Sequence, residues 1–150
     1  FDRSVEPDQG ESPKLNIPDS WSVTLANGMT VNGMEHNELP LVNFSLIIDG
    51  GHLLNSFDKI GVANLITDIL MEGTANKTPE ELEEEIELLG ASINMFTGRE
   101  SITISGNTLV RNFEKTMDLV EEILLEPRWD EEELKRIKLS TVNGDRKSVV

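Results

Sequence analysis

From Trp21 onward the chain alternates apolar with polar residues, first in Trp21-Ser22-Val23-Thr24-Leu25 and again in Met29-Thr30-Val31. A period of two marks half-buried strands, and the intervening Asn27-Gly28, two residues that tolerate positive φ, predicts a hairpin turn. A third strand is predicted over Leu41 to Asp49, closed by Gly50-Gly51. The period then changes. Val62, Ala63, Ile66, Ile69 and Leu70 fall at helical spacing, and Gly73 suits a left-handed stop. These apolar residues read as the anchoring stripe of the helix, whereas Asn64, Thr67 and Asp68 read as a polar stripe beside it, turned to solvent or to a chamber.

A second helix is signalled by Thr78 as N-cap, Pro79 at the first helical position and Glu81 completing a capping box, with Leu82, Ile86 and Leu89 on one face and Gly90 at the end. Its six Glu between Glu80 and Glu87 read as a solvated face. Period two returns in Ala91, Ile93, Met95 and in Ile102, Ile104, on either side of a turn at Thr97-Gly98-Arg99-Glu100. A third helix is expected from about Val110 to Leu125, with Val110, Phe113, Met117, Val120 and Leu124 inward, stopped by Pro127. A fourth begins at Asp130, whose capping box closes on Glu133, and runs toward Asn143 and Gly144. The order strands, helices, strands, helices predicts an α+β fold, a largely antiparallel sheet with helices packed on one face. No internal repeat at a fixed period is visible.

The opening stretch from Phe1 to Ser20 holds three of the six prolines and little apolar periodicity, so residues 1–20 read as a linker or extended arm before one domain at 21–150. Because the chain starts at Phe1 and stops at Val149-Val150 without a helix stop, it reads as a piece of a longer protein, truncated at its C-terminal end. Hydrophobic residues make up 37% and charged residues 27%, with no apolar run near the roughly 20 residues of a membrane span. The formal net charge of −15 disfavours nucleic acid and anionic membranes as partners. With no cysteine, any metal would need His, Asp or Glu ligands.

The segment Gly61-Val62-Ala63-Asn64-Leu65-Ile66-Thr67-Asp68-Ile69-Leu70-Met71-Glu72-Gly73-Thr74 resembles the signature helix of the insulinase/pitrilysin and mitochondrial-processing-peptidase family of zinc metallopeptidases, which ends in the same Gly-Thr. Further matches follow in order: Leu25-x-Asn27-Gly28-x-x-Val31, Pro40-x-Val42, Gly50-Gly51, Gly90-Ala91, and Pro127 before the acidic last helix. In active members, the resemblance implies, that helix carries His-x-x-Glu-His. Residues at i and i+4 grip one metal while i+3 handles the metal-bound water. Here those positions are Asn64, Thr67 and Asp68. Asn is a poor zinc ligand, Thr is no general base near neutral pH, and Asp68 alone holds no first-row metal tightly. The family's third ligand, a Glu some seventy-five residues on, would fall at Asn143, Gly144 or Asp145, of which only the last is a carboxylate.

The resemblance therefore implies a catalytically inactive peptidase domain that helps form the peptide-enclosing chamber of a zinc metallopeptidase. Zinc would sit not in this chain but in a catalytic lobe of the same or a partner chain, and the substrate would be a peptide. Two alternatives stay open, an active zinc metallopeptidase with unusual ligands and an assembly-only structural module. A bacterial periplasm or cell envelope is the setting the family suggests. His36 and His52 are isolated in sequence and read as structural or surface residues, Asp130 to Glu133 as acids favoured by the first turn of a helix, and Arg99 and Asn107 as turn residues.

Overall fold

The computed structural model describes residue 10 and residues 18–36 and 38–147. Most of the 1–20 arm and the terminal Val149-Val150 therefore lie outside the described residues. Two compact units divide between Leu39 and Pro40.

The first unit is a hairpin of β1 (Ser20–Thr24) and β2 (Thr30–Met34), antiparallel, with Val23 opposite Val31. Its turn differs from expectation: Gly28 takes φ 87°, but Asn27 stays out of the left-handed region. The Gly28 amide donates to the Leu25 carbonyl at 2.9 Å, and the Asn27 side-chain oxygen accepts from the Met29 amide at 3.0 Å. Asn27 thus supplies an acceptor rather than a left-handed backbone. Trp21 lies over its cross-strand partner Gly33 so closely that a methyl there would meet ring carbons at 2.2 Å.

The second unit holds β3 (Leu41–Asp49), α1 (Val62–Leu70), α2 (Pro79–Leu88), β4 (Ser92–Thr97), β5 (Ser101–Leu109), α3 (Phe113–Leu125) and α4 (Glu131–Lys147). The strands form an antiparallel sheet in the order β3-β5-β4, with Leu46 opposite Ile104 and Ile104 opposite Met95. The predicted largely antiparallel sheet is thus present as two separate sheets. Alternation sends Ile93 and Ile104 to one face, where they join Leu70 of α1, Leu82 of α2 and Leu119, Val120 and Ile123 of α3 in a single core. Each such side chain contributes about 1.5–3 kcal/mol by leaving water.

Helix α2 starts as its sequence demands. The Glu81 amide donates to Thr78 Oγ1 at 3.2 Å and the Thr78 amide to Glu81 Oε2 at 2.8 Å. Helix α3 does not keep the expected phase. Strand β5 runs on to Leu109, and a single tight turn at Val110–Asn112 precedes the helix, so Val110 points outward, 56% exposed. The buried stripe is Thr116, Leu119, Val120 and Ile123, while Met117 and Leu124 only flank it. In α4, Asp130 caps by accepting from the Glu132 and Glu133 amides. The Glu133 carboxylate does not close the expected box but accepts from Arg136 Nε at 2.6 Å.

The segment after α1 is fastened to α3. Gly73 adopts φ 99°, and a Cβ there would lie 2.6 Å from the Lys77 carbonyl oxygen. Thr74, 1% exposed, donates its hydroxyl to Glu122 Oε1 at 2.6 Å, and Lys77 Nζ reaches Glu122 Oε2 at 2.5 Å. Burial pushes the Glu122 carboxyl up, but hydrogen bonds from Lys77, Thr74 and Asn76 outweigh it and hold the group below the usual carboxylate range. Lys77 is raised, chiefly by the same bond to Glu122.

Two outcomes follow from this junction. Gly73→Ala is expected to lower unfolding stability by about 2–3 kcal/mol in urea titrations, from left-handed strain and the carbonyl clash. Because the Glu122 pKa is depressed in the folded state, its contribution is present above its unfolded pKa and lost as pH falls through the folded value. Glu122→Gln is expected to cost about 1–2 kcal/mol at neutral pH and to flatten the loss of stability in acid, measured by urea melts across the pH range.

Candidate functional site

Helix α1 lies between the sheet and α4. Ala63, Thr67 and Leu70, spaced i, i+4, i+7, are all buried on the sheet side. Asn64 and Asp68 are exposed, as expected, but Thr67 is only 5% exposed, which corrects the reading of all three as one outward stripe. The reason is Thr97 at the end of β4, which is itself buried beneath the helix. The Thr67 and Thr97 hydroxyls lie 3.0 Å apart. Thr67 Oγ1 donates to the Asn64 carbonyl at 2.9 Å, and Thr97 Oγ1 donates to the Ala63 carbonyl at 3.0 Å. Each Thr carries one donor, and a hydroxyl hydrogen can serve only one acceptor fully, so the pair shares its protons among the two carbonyls and each other.

Thr97 was not singled out in the sequence, where it was read as part of a turn. The signal was present nonetheless, since Ile93, Met95 and Thr97 alternate on one side of β4. Asn107 is likewise not in a turn but inside β5, where its amide donates to Ser92 Oγ at 2.9 Å.

A cleft of about 370 Å³ opens between α1 and α4, walled by Thr67, Asp68, Met71 and Glu72 on one side, Arg136, Ile137, Ser140 and Thr141 on the other, and floored by Met95. The structure thus brings positions 67 and 68 to one cleft with α4. Asn143 lies exposed on α4, and the side chains from position 144 onward lie outside the described residues. Arg136 is ion-paired with Glu72 across the cleft and with Glu133 on its own helix, and these partners raise it further above its ordinary range.

The donor set does not fit zinc. A catalytic zinc needs three N, S or carboxylate ligands and an open position. Asn64 offers an amide, the Thr67 hydroxyl is engaged with Thr97 and the Asn64 carbonyl, and Asp68 is the one carboxylate of the three. Among the described residues, no three His, Asp or Glu side chains cluster at metal-binding distance. His36 lies 3.9 Å from Glu38 at an exposed site, and His52 is exposed in a tight turn beside the sheet. A groove of about 690 Å³ lies elsewhere, between Lys77 and the acidic α2 face at Glu81, Glu84 and Glu85. No described helix is long and apolar enough to cross a membrane.

An antiparallel sheet covered on one face by helices, with a helix ending in Gly-Thr laid against it, is the architecture of a known class of peptidase domain. The sequence profile of the insulinase family (peptidase family M16) matches residues 34–149, and the chain belongs to that family. It is 29% identical over 122 residues to the probable mitochondrial-processing peptidase subunit beta of Arabidopsis thaliana, covering 81% of this chain and 23% of that protein. To the mitochondrial-processing peptidase subunit beta of Mus musculus it is 27% identical, covering 81% and 25%. Among solved structures it superposes on the peptidase M16 inactive domain from Pseudomonas fluorescens with a TM-score of 0.78 at 26% identity, over 84% of this chain and 31% of that one. A protease from Helicobacter pylori shares the fold at TM-score 0.67 and 21% identity, over 78% and 28%. The chain spans about a quarter of the length of these curated relatives.

The hydroxyl pair is open to a double-mutant cycle. Thr67→Val and Thr97→Val are each expected to cost about 1–2 kcal/mol of unfolding free energy, with a coupling near 1 kcal/mol. Additive effects in denaturant melts would contradict a shared network.

Proposed function

We propose that this domain, spanning residues 21–150, is a non-catalytic lobe of a zinc metallopeptidase. It helps enclose the peptide while the zinc is held by another lobe of the same or a partner chain. The observation that carries the reading is the state of α1 at the motif positions: Asn64 and Asp68 exposed, and Thr67 turned into the sheet and bonded to Thr97. Of the three positions at which the family's third ligand would fall, Asn143, Gly144 and Asp145, two carry no carboxylate. Support of another kind comes from the Pseudomonas fluorescens neighbour, which is described as an inactive domain, and from relatives described as subunits.

The chemistry follows from this donor set. Without two imidazoles no Lewis acid is fixed over the scissile carbonyl, and without a carboxylate at position 67 no group takes the proton of the attacking water. What the chain retains is the surface: a rigid sheet-backed helix and an open cleft beside it, which orient a peptide without reacting with it.

Peptide cleavage by the unmodified chain, run with added zinc and with a chelator, decides the matter. No turnover above background is expected in either condition, and chelator-sensitive cleavage would overturn the reading. Replacing Asn64 by His, Thr67 by Glu and Asp68 by His is expected to give weak zinc binding at most and no turnover, because neither Asn143 nor Gly144 supplies a third ligand and the partner lobe that orients the peptide is absent. The same replacement also breaks the Thr67–Thr97 bond, so it is expected to lower stability by about 1–3 kcal/mol.

A further inference from the structure

The sequence holds three Asn-Gly pairs, Asn27-Gly28, Asn32-Gly33 and Asn143-Gly144. Such a pair is open to attack by the chain on itself, because glycine sets no Cβ beside the reacting nitrogen and lets its peptide swing. The glycine nitrogen gives up its proton to hydroxide and attacks the asparagine Cγ. The new N–C bond closes a five-membered succinimide while the bond from Cγ to the side-chain nitrogen breaks and ammonia leaves. Water then opens the ring at either carbonyl, giving aspartate or isoaspartate, and nothing is oxidised or reduced. All three asparagines are exposed, so access of water does not separate them. The backbone does.

Ring closure requires the peptide after the asparagine to rotate. Helix α4 runs over Glu131–Lys147, so rotation between residues 143 and 144 breaks its run of backbone bonds. In the hairpin, the Leu25 amide donates to the Met29 carbonyl, and antiparallel alternation from there makes Val23–Val31 and Trp21–Gly33 the hydrogen-bonded pairs. The Gly33 nitrogen is therefore held by Trp21, whose ring also lies over Gly33. Rotation after Asn32 breaks that pair and lifts the indole.

At the hairpin tip less stands in the way. The reacting nitrogen of Gly28 is held by one bond, to the Leu25 carbonyl at 2.9 Å, and losing it leaves the Val23–Val31 pair in place. Gly28 sits at φ 87°, in a region that glycine enters and leaves without steric cost. The Asn27 side-chain oxygen accepts from the Met29 amide at 3.0 Å. This bond draws electrons from Cγ and sets a donor on the oxygen that turns negative when the nitrogen adds. We propose that Asn27 is a self-modifying site, left open to succinimide formation with Gly28 by the hairpin turn, while the strand pairing and the helix close Asn32 and Asn143. Either product adds one negative charge to a chain of net charge −15, and isoaspartate also lengthens the main chain of the turn by one carbon.

Ageing the chain in mildly alkaline buffer and mapping its peptides by mass spectrometry, with electron-transfer fragmentation to tell isoaspartate from aspartate, tests this. In the folded chain Asn27 is expected to deamidate at least about tenfold faster than Asn32 or Asn143, because sites inside a ladder or a helix react only through local opening. In guanidinium the three are expected to react within about threefold of one another, because the fold no longer separates them. Asn32 or Asn143 keeping pace with Asn27 in the folded chain overturns the proposal. So does a folded chain that keeps Asn27 intact, or a lead for Asn27 that persists undiminished in guanidinium and so comes from its neighbours in sequence rather than from the turn.

Discussion

The buried hydroxyl pair of Thr67 and Thr97 is the contact on which the arrangement of the second unit turns. It joins the middle of α1 to the end of β4 in the one place where the helix would otherwise set a polar side chain against an apolar sheet. Buried polar groups are tolerated only when satisfied, and here both hydroxyls and both backbone carbonyls find partners. With α1 fixed there and at Gly73–Thr74, the position of α4 follows, because α4 packs on the opposite side of α1 through Leu134 and Ile137. Threonine at position 67 has thus been put to a structural use. A side chain that faces the sheet and bonds to it serves packing, and it forms part of the wall of the cleft between α1 and α4.

The charge is distributed in keeping with this. Acids line the outer faces of α2 and α3, where Glu80, Glu84, Glu114 and Glu121 are exposed, whereas the cleft between α1 and α4 is internally compensated by Arg136 with Glu72. Net charge of one sign keeps a chain soluble and sets which surfaces approach it.

Much of this was legible in the sequence. Period-two and period-3.6 patterns located the five strands and four α-helices among the described residues, though not the three short 3-10 turns, and Thr78-Pro79-x-Glu81 specified the start of α2 to the residue. What failed were features that depend on contacts distant in sequence or on a change of helical pitch. The tight turn at Val110–Asn112 keeps Val110 out of α3 and exposed, and Leu119 and Ile123 join Val120 in the buried stripe. Glu133 went to Arg136 because a guanidinium one turn away competes with a backbone amide. At the site, the identity of the motif positions was readable, but the inward turn of Thr67 was not. It requires knowing that Thr97, thirty residues on, lies beneath it.

The proposed role requires that α1 and α4 hold no zinc. Isothermal titration of the unmodified chain with zinc, at neutral pH and physiological ionic strength, tests it most directly. Only weak, non-stoichiometric uptake that Asp68→Ala leaves unchanged is expected. One zinc per chain bound with a submicromolar dissociation constant, and lost in Asp68→Ala, would contradict it.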